Sequence, residues 1–373
     1  MKFLSQVIKK HKLDVKEQKL LRGEIDTVLK KINSELSKKR IKAKAVLGGS
    51  AAKGTMLRGD FDVDLFVKFD YSYKERNLSD LLEKALKYFK PKRVQGSRDY
   101  FQFILKKINY EVVPVLNIKD HKQAVNVTDA SPLHVDWVKR YLRKDPKLLD
   151  QIILTKVFLK ANKLYGAESY IRGFSGHVVD ILTINYNGFL TLLKASQEWK
   201  PNEVIDPEKH NTAKQLNKSK LGPLIIIDPV QPNRNAASAL SFTNFGEFKR
   251  IAKEFLKNPC IKFFEKQKIT IAELKQKAGK NKLIVLNVTP LKGKEDVVGA
   301  KLLKTYKYIE KQLRKNEFTV LEYNWEWDKA SKAMFWYILD SEILPMFREH
   351  MGPPLHEKQH VKAFEKQYKE TYV

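Results

Sequence analysis

Apolar residues return every three or four positions at Leu21, Ile25, Val28, Leu29, Ile32 and Leu36, which is the spacing of one buried helical face. Asp14 followed by Glu17 forms a capping-box pattern ahead of that face, so the helix should begin there and run to about Arg40. The period then drops to two. Short apolar or alternating runs near 42–47, 61–69, 91–96, 99–106 and 109–116 predict strands, with a helix from Leu78 to Phe89 among them.

From Ser131 to about Phe264 the pattern is mainly helical, broken by an apolar strand at Leu224 to Ile227 and the turn Asp228-Pro229. Ser131 and Pro132 read as the N-cap and first helical residue of LHVDWVKRYL, and a second helix spans Asp150 to Asn162. The Lys-rich stretch from Lys266 to Lys282 reads as a linker or a weakly packed helix. Beyond it, Leu283 to Val288, a helix from Val298 to Arg314, and strands around Phe318 to Trp327 and Ala333 to Leu339 suggest a small α/β module. The whole is an α+β multidomain chain with expected divisions at 1–130, 131–265 and 266–373. No internal repeat or long low-complexity tract interrupts it.

Charge changes the picture most. Among 373 residues, Lys and Arg number 71 against 43 acids, a net charge of +28 spread along the chain rather than held in a tail. Such an excess predicts a polyanionic partner gripped through sequence-independent phosphate contacts. Cys260 is the only cysteine, which excludes a disulfide framework and a cysteine-based zinc site. No apolar stretch reaches membrane-spanning length, and MKFLSQVIKKHKLDVKEQ lacks the apolar core of a signal peptide, so a cytoplasmic protein with no membrane partner is expected.

The candidate chemistry is concentrated between Leu47 and Phe69, LGGSAAKGTMLRGDFDVDLFVKF. A small-residue turn, Gly48-Gly49-Ser50, follows one strand and allows backbone N–H groups to approach a phosphate. On the next strand Asp62 and Asp64, at i and i+2, share one face, where two carboxylates can hold Mg²⁺, while Val63 and Leu65 turn to the core. Two unpaired carboxylates in an apolar strand are costly without a cation. Glu111, in the apolar run Ile108 to Val115, is a third candidate ligand for a two-ion site, or an edge-strand acid facing water.

Further along, His134 falls in the first turn of its helix, where it can donate to phosphate or serve structure. Lys156 and Lys160 are spaced i, i+4 as a free basic stripe ending at the Tyr165-Gly166 turn. Arg234 follows a strand and turn, in a ligand-facing position that a surface Arg–Asp pair would also explain. Tyr323, Trp325, Trp327, Phe335 and Trp336 stand on the late strands as core or as base-stacking surfaces.

These segments resemble the polymerase β-like nucleotidyltransferases, and within them the archaeal, class I CCA-adding enzymes. The resemblance is carried by GGSAAKGTMLRGDFDVDLFV from Gly48, ASPLHVDW from Ala130, KVFLKANKLYGAESYIRGFSGHVVDIL from Lys156, IIIDPVQPNRNAASALS from Ile225 and GPPLHEKQHVKAFEKQY from Gly352. It implies a catalytic palm domain, a helical central domain and a C-terminal tRNA-binding region, the last expected to be shortened because the chain ends soon after the GPP segment. It implies template-independent addition of CCA to tRNA from CTP and ATP, with two Mg²⁺ held by Asp62, Asp64 and Glu111.

By the same resemblance Gly49 and Ser50 form the phosphate turn, Lys53 stands where the family often has Arg, and His134, Lys156 and Tyr165 contact the triphosphate. Arg234 would face the incoming base. Glu111 occupies a place where the family usually has Asp. The implied partner is the acceptor stem and TψC arm of tRNA, and a homodimer is left open. A poly(A) polymerase-like enzyme or a catalytically weakened tRNA-binding protein are the alternatives.

Overall fold

The computed structural model describes residues 1–267, 269–344 and 351–367, and the chain forms two compact units, Met1–Lys268 and Ile269–Val373. Unit 1 opens with α1 (Lys2–His11) and α2 (Val15–Lys38). The capping box predicted for α2 is present: the Asp14 side chain accepts from the Glu17 amide while Glu17 accepts from the Asp14 amide. Strand β1 (Ala43–Leu47) runs into a short α3 (Gly49–Lys53), followed by β2 (Asp62–Phe69), α4 (Leu78–Leu86), β3 (Lys92–Val94), β4 (Tyr100–Leu105) and β5 (Ile108–Leu116).

These strands form one sheet in the order β1-β2-β5-β4-β3. Only β2 and β5 pair in parallel, in a register that sets Asp62 beside Asn109 and Asp64 beside Glu111. The apolar face of α2, through Ile25, Val28, Ile32 and Leu36, shares a core with Val63, Leu65, Val67, Phe103 and Val112. Since side chains alternate across a sheet, burying Val63 and Leu65 obliges Asp62 and Asp64 to occupy the opposite face.

The helical part follows with α5 (Ser131–Lys144), α6 (Leu148–Ala161), α7 (Gly176–Asn185), α8 (Phe189–Glu198), β6 (Glu203–Ile205), β7 (Leu224–Ile226) and α9 (Phe242–Lys257). It has its own core, in which Phe158, Phe189, Phe248 and Phe255 are packed with Leu4 and Val7 of α1. Ser131 is not the N-cap expected of it. A 3₁₀ turn over Val127–Ala130 leads straight into the helix, which leaves Ala130 at the cap position with no side-chain bond. That turn is held by buried Asp129, which accepts from the amides of Leu116, Val125 and Asn126 and pairs with Arg98. A capping serine is unnecessary there.

Unit 2 contains α10 (Ile271–Ala278), β8 (Lys282–Val288), α11 (Glu295–Lys315), β9 (Val320–Trp327), β10 (Ala333–Leu339) and α12 (Lys358–Gln367), with the strands in the order β8-β10-β9. Of the two readings of the Lys266 to Lys282 stretch, linker or weakly packed helix, part of it is a helix: Thr270 and Glu273 form a capping box and Leu274 and Ala278 are buried. Of the strand aromatics, Phe335 and Trp336 are buried, Trp325 and Trp327 are partly buried against the core that holds Phe335, and Tyr323 remains exposed. Tyr306 of α11 packs on Tyr323 at 5.5 Å and on Phe335 at 5.6 Å between ring centroids. The GPP stretch ends at Tyr368, outside the described residues.

Candidate active site

Two clusters of the candidate residues form within unit 1. The first is built on the polar face of β2 and β5. Gly49 has φ +52°, and a Cβ there would lie 1.6 Å from the Asp64 carboxylate, so only glycine lets α3 begin directly against that acid. Gly48, whose amide donates to the Asp64 carbonyl at 2.8 Å, is similarly crowded by the Phe66 ring. Ser50 lies one residue inside α3, its carbonyl accepting from the Thr55 amide at 3.0 Å. Asp62 accepts from Asn109 Nδ2 at 2.9 Å, and Glu111 from Gln102 Nε2 at 3.2 Å.

Burial pushes the Asp64 carboxyl above its ordinary range; Lys53 offsets part of this and Asp62 adds to it. The nearby cation is otherwise engaged, since Lys53 Nζ pairs with the fully buried Asp180 of α7. Asp180 Oδ1 has no hydrogen-bond partner. Asp62, Asp64 and Glu111 offer only hard oxygen ligands, and the upward shift of Asp64 shows that its charge is poorly compensated, which fits a divalent cation.

Lys156 and Lys160 do not form a free stripe. Helix α6 is buried almost all round, from Ile152 to Leu159, and Lys156 lies inside it, donating to the Thr55 carbonyl at 3.0 Å and hydroxyl at 3.2 Å. Burial lowers the Lys156 ammonium to about 8, partly countered by Asp180. Lys160 instead pairs with Asp60 at 2.6 Å and stands over the Tyr165 ring. Tyr165 is largely enclosed, its phenol pushed upward by burial and then by the neighbouring Asp180, Asp60, Glu168 and Asp64. Gly176 leaves room for that hydroxyl, which a Cβ would meet at 2.8 Å.

The second cluster surrounds Asp228. His134 Nε2 lies 3.1 Å from Oδ1, Arg234 Nη1 2.7 Å from Oδ2, and His177 Nε2 3.6 Å from Oδ2. The two imidazoles pack at 4.1 Å between centroids. Burial lowers His177 to about 4, with His134 adding to the effect and Asp228 and Asp180 opposing it. Burial would raise the Asp228 carboxyl, yet hydrogen bonds and charge from both histidines hold it well below the carboxylate range. Asp180, which touches Lys53 and acts on His177, lies between the two clusters electrostatically.

Sequence reasoning did not single out Asp180, His177, Asp60 or Thr55. The available signal for Asp180 was a lone carboxylate within the apolar run HVVDILTIN. Its Lys53 partner lies 127 residues away in the chain, beyond any local pattern.

A strand-borne acid face beside a glycine-started helix, backed by a helical domain, defines a nucleotidyltransferase of the polymerase β-like class. Solved structures share that fold: the Cid1 poly(U) polymerase bound to MgATP, at TM-score 0.56 and 16% identity, covers 71% of this chain and 98% of its own. E. coli MS115-1 CdnC with ATP, at TM-score 0.52 and 20% identity, covers 74% and 96%. Domain families place the chain more narrowly. The nucleotidyltransferase domain matches residues 28–204, the second domain of tRNA nucleotidyltransferase 150–265, and the C-terminal domain of CCA-adding enzyme 278–373.

The CCA-adding enzyme of Nanoarchaeum equitans is 36% identical over 83% of this chain and 76% of its own length. That of Methanocaldococcus jannaschii is 31% identical over 88% and 75%. This chain belongs to the CCA-adding enzymes and is a tRNA nucleotidyltransferase.

Proposed function

We propose that this protein adds C, C and A in turn to the 3′ end of tRNA, taking CTP and ATP as substrates and releasing pyrophosphate. The observation that carries the reading is the parallel β2/β5 register, which sets Asp62, Asp64 and Glu111 on one face against Gly49. Asp62, Asp64 and Glu111 would hold two Mg²⁺, which when bound supply a lowered pKa for the attacking hydroxyl and charge for the leaving group.

The remaining work belongs to the chain. Gly49 and Ser50 bring small backbone to the phosphates, and Lys53, Lys156, His134 and Tyr165 supply donors for the triphosphate. Lys156 is held by Thr55 rather than by a carboxylate, so its charge is only partly neutralised within the protein. Arg234, half exposed while its Nη1 is pinned, offers the rest of its fork to the base edge. The net charge of +28 suits a grip on the acceptor stem and TψC arm through phosphates and A-form shape. Among the described residues no helix is long and apolar enough to cross a membrane.

The test supplies tRNA lacking its terminal CCA with each labelled nucleotide, singly and together. Two C additions without ATP, followed by a single A once ATP is present, are expected. An A-only or long homopolymeric tail, or no transfer at any Mg²⁺ concentration, would sink the reading.

A further inference from the structure

Asp228 is fully buried in a turn that its Oδ1 helps to close, accepting from the Val230 and Gln231 amides, while other bonds fix the backbone around Arg234. The Asp228 amide donates to the Arg234 carbonyl at 3.0 Å, and the Arg234 amide to the Gln231 carbonyl at 2.9 Å. From outside, His210 Nε2 lies 3.2 Å from the Pro229 carbonyl, and the Thr212 hydroxyl donates to the Pro232 carbonyl. Asn235, the next residue, has its side-chain amide satisfied on both sides, accepting from Ile226 and Ala237 and donating to the Lys220 and Leu224 carbonyls. The path of the main chain at Arg234 is thus fixed by others. Besides the Val230 and Gln231 amides, what the Asp228 side chain holds is the Arg234 guanidinium and His134.

We propose that Asp228 is a positioning residue that locks Arg234 and His134 into one frame, so that base choice by Arg234 depends on the Asp228 carboxylate. This rests on the base-reading role proposed for Arg234. A long arginine side chain has many rotamers, and freezing one before the nucleotide arrives removes an ordering cost from binding. Asp228 takes only Nη1, which leaves the other edge of the planar fork to face a ligand. The same carboxylate joins the arginine to His134, 94 residues away in the chain, and so ties base reading to the group proposed for the triphosphate.

A metal centre is the competing explanation, because the ligand atoms of His134, His177 and Asp228 all lie within 4.8 Å of one another. The carboxylate argues against it. Oδ1 already accepts from the amides of Val230 at 2.9 Å and Gln231 at 3.1 Å, and Oδ2 holds a permanently charged arginine that would repel a cation.

The experiment measures single-turnover addition of CTP and UTP to tRNA lacking CCA, for the wild type, Arg234→Ala, Asp228→Asn and Asp228→Ser. Asparagine keeps the size of the side chain. Serine retains an acceptor for the turn amides but cannot reach the guanidinium, so it keeps the test open should the asparagine variant misfold. Both Asp228 variants are expected to lower the CTP-over-UTP ratio by about 10- to 100-fold, the scale of a lost charge-assisted hydrogen bond.

An equal slowing of both nucleotides at Asp228, with selectivity lost only in Arg234→Ala, would overturn the positioning role and leave the base-reading role intact. Unchanged selectivity in Arg234→Ala would overturn both. Metal analysis supplies an independent readout: about one equivalent of a transition metal in purified wild type, absent from Asp228→Asn, would make the cluster a metal site and end the proposal.

Discussion

Asp64 and Asp228 are two enclosed aspartates in opposite electrostatic conditions, and the difference separates the two halves of the site. Asp64 has a second acid two residues away, and its nearby lysine is committed to Asp180, so its carboxyl is pushed upward. Asp228 has two amides, an arginine and two histidines around it, and its carboxyl is held far down. The first carboxylate is short of positive charge and suited to a cation that arrives with substrate. The second is already saturated and suited to holding other groups still. Burial alone therefore does not identify a metal ligand; the balance of donors around the acid does.

The largest effect should come from removing the unsaturated charge. Asp64→Asn is expected to slow CTP addition by on the order of 10³-fold or more while tRNA affinity, spread over many lysines, stays near wild type. Stability sharpens the contrast. A carboxyl with a raised folded-state pKa stabilises only at acid pH and loses that contribution as pH rises, so Asp64→Asn should not lower the melting temperature at pH 7. Asp228 has the reverse sign, with stability present above the ordinary carboxylate range and lost on acidification, so Asp228→Asn should melt earlier at pH 7. If both variants lost stability equally, the contrast would collapse.

Next in size is Glu111, which stands beside Asp64 in the β2/β5 register. Glu111→Gln should cost about 10²-fold in single-turnover rate across a Mg²⁺ titration, and Glu111→Asp should stay active. Near-normal rates in Glu111→Gln would make this residue a surface acid and send the search for a third ligand elsewhere. Gly49→Ala comes third. Its Cβ would collide with the Asp64 carboxylate at a backbone angle that alanine disfavours, so a loss of about 10-fold or more is expected from displacing the acid by a fraction of an ångström. Full activity in this variant would show that the close contact is dispensable.

The smallest effect is a pH dependence. Because burial holds Lys156 at about 8, the free enzyme should lose that charge as pH rises through this value, and kcat/KM for CTP should fall several-fold. Stability moves the other way, since the unfolded lysine keeps its proton to higher pH and deprotonation relieves the buried charge. In Lys156→Gln the alkaline fall should vanish from an already reduced profile. Persistence of the same limb in that variant would assign it to another group.

The sheet face was readable because a strand obeys a period of two. Val63 and Leu65 had to be buried, so Asp62 and Asp64 had to face the other way, and Glu111 followed once its own run was taken as a strand. The α2 cap was equally local, with both partners within three residues. Lys156 was misjudged because its helix is apolar on every side; periodicity marks a free face only when one face is polar. The aromatics of β9 and β10 were ambiguous by themselves, since core packing and base stacking use the same residues; packing under α11 buries Phe335 on β10, while Tyr323 on β9 touches Tyr306 yet stays exposed.

What the sequence determined by itself was the segment-level chemistry: acids at i and i+2, a glycine turn before them, a basic chain, and the motifs that mark the family. Those features depend on neighbours a few residues apart, where helix and strand geometry fix direction. Only the tertiary structure decided that Lys53 faces Asp180, that Lys156 rests on Thr55, and that His134, His177 and Arg234 meet on Asp228. Those partners are separated by 6 to 127 residues. Their charges are set by burial and by contacts across elements, which no local period encodes.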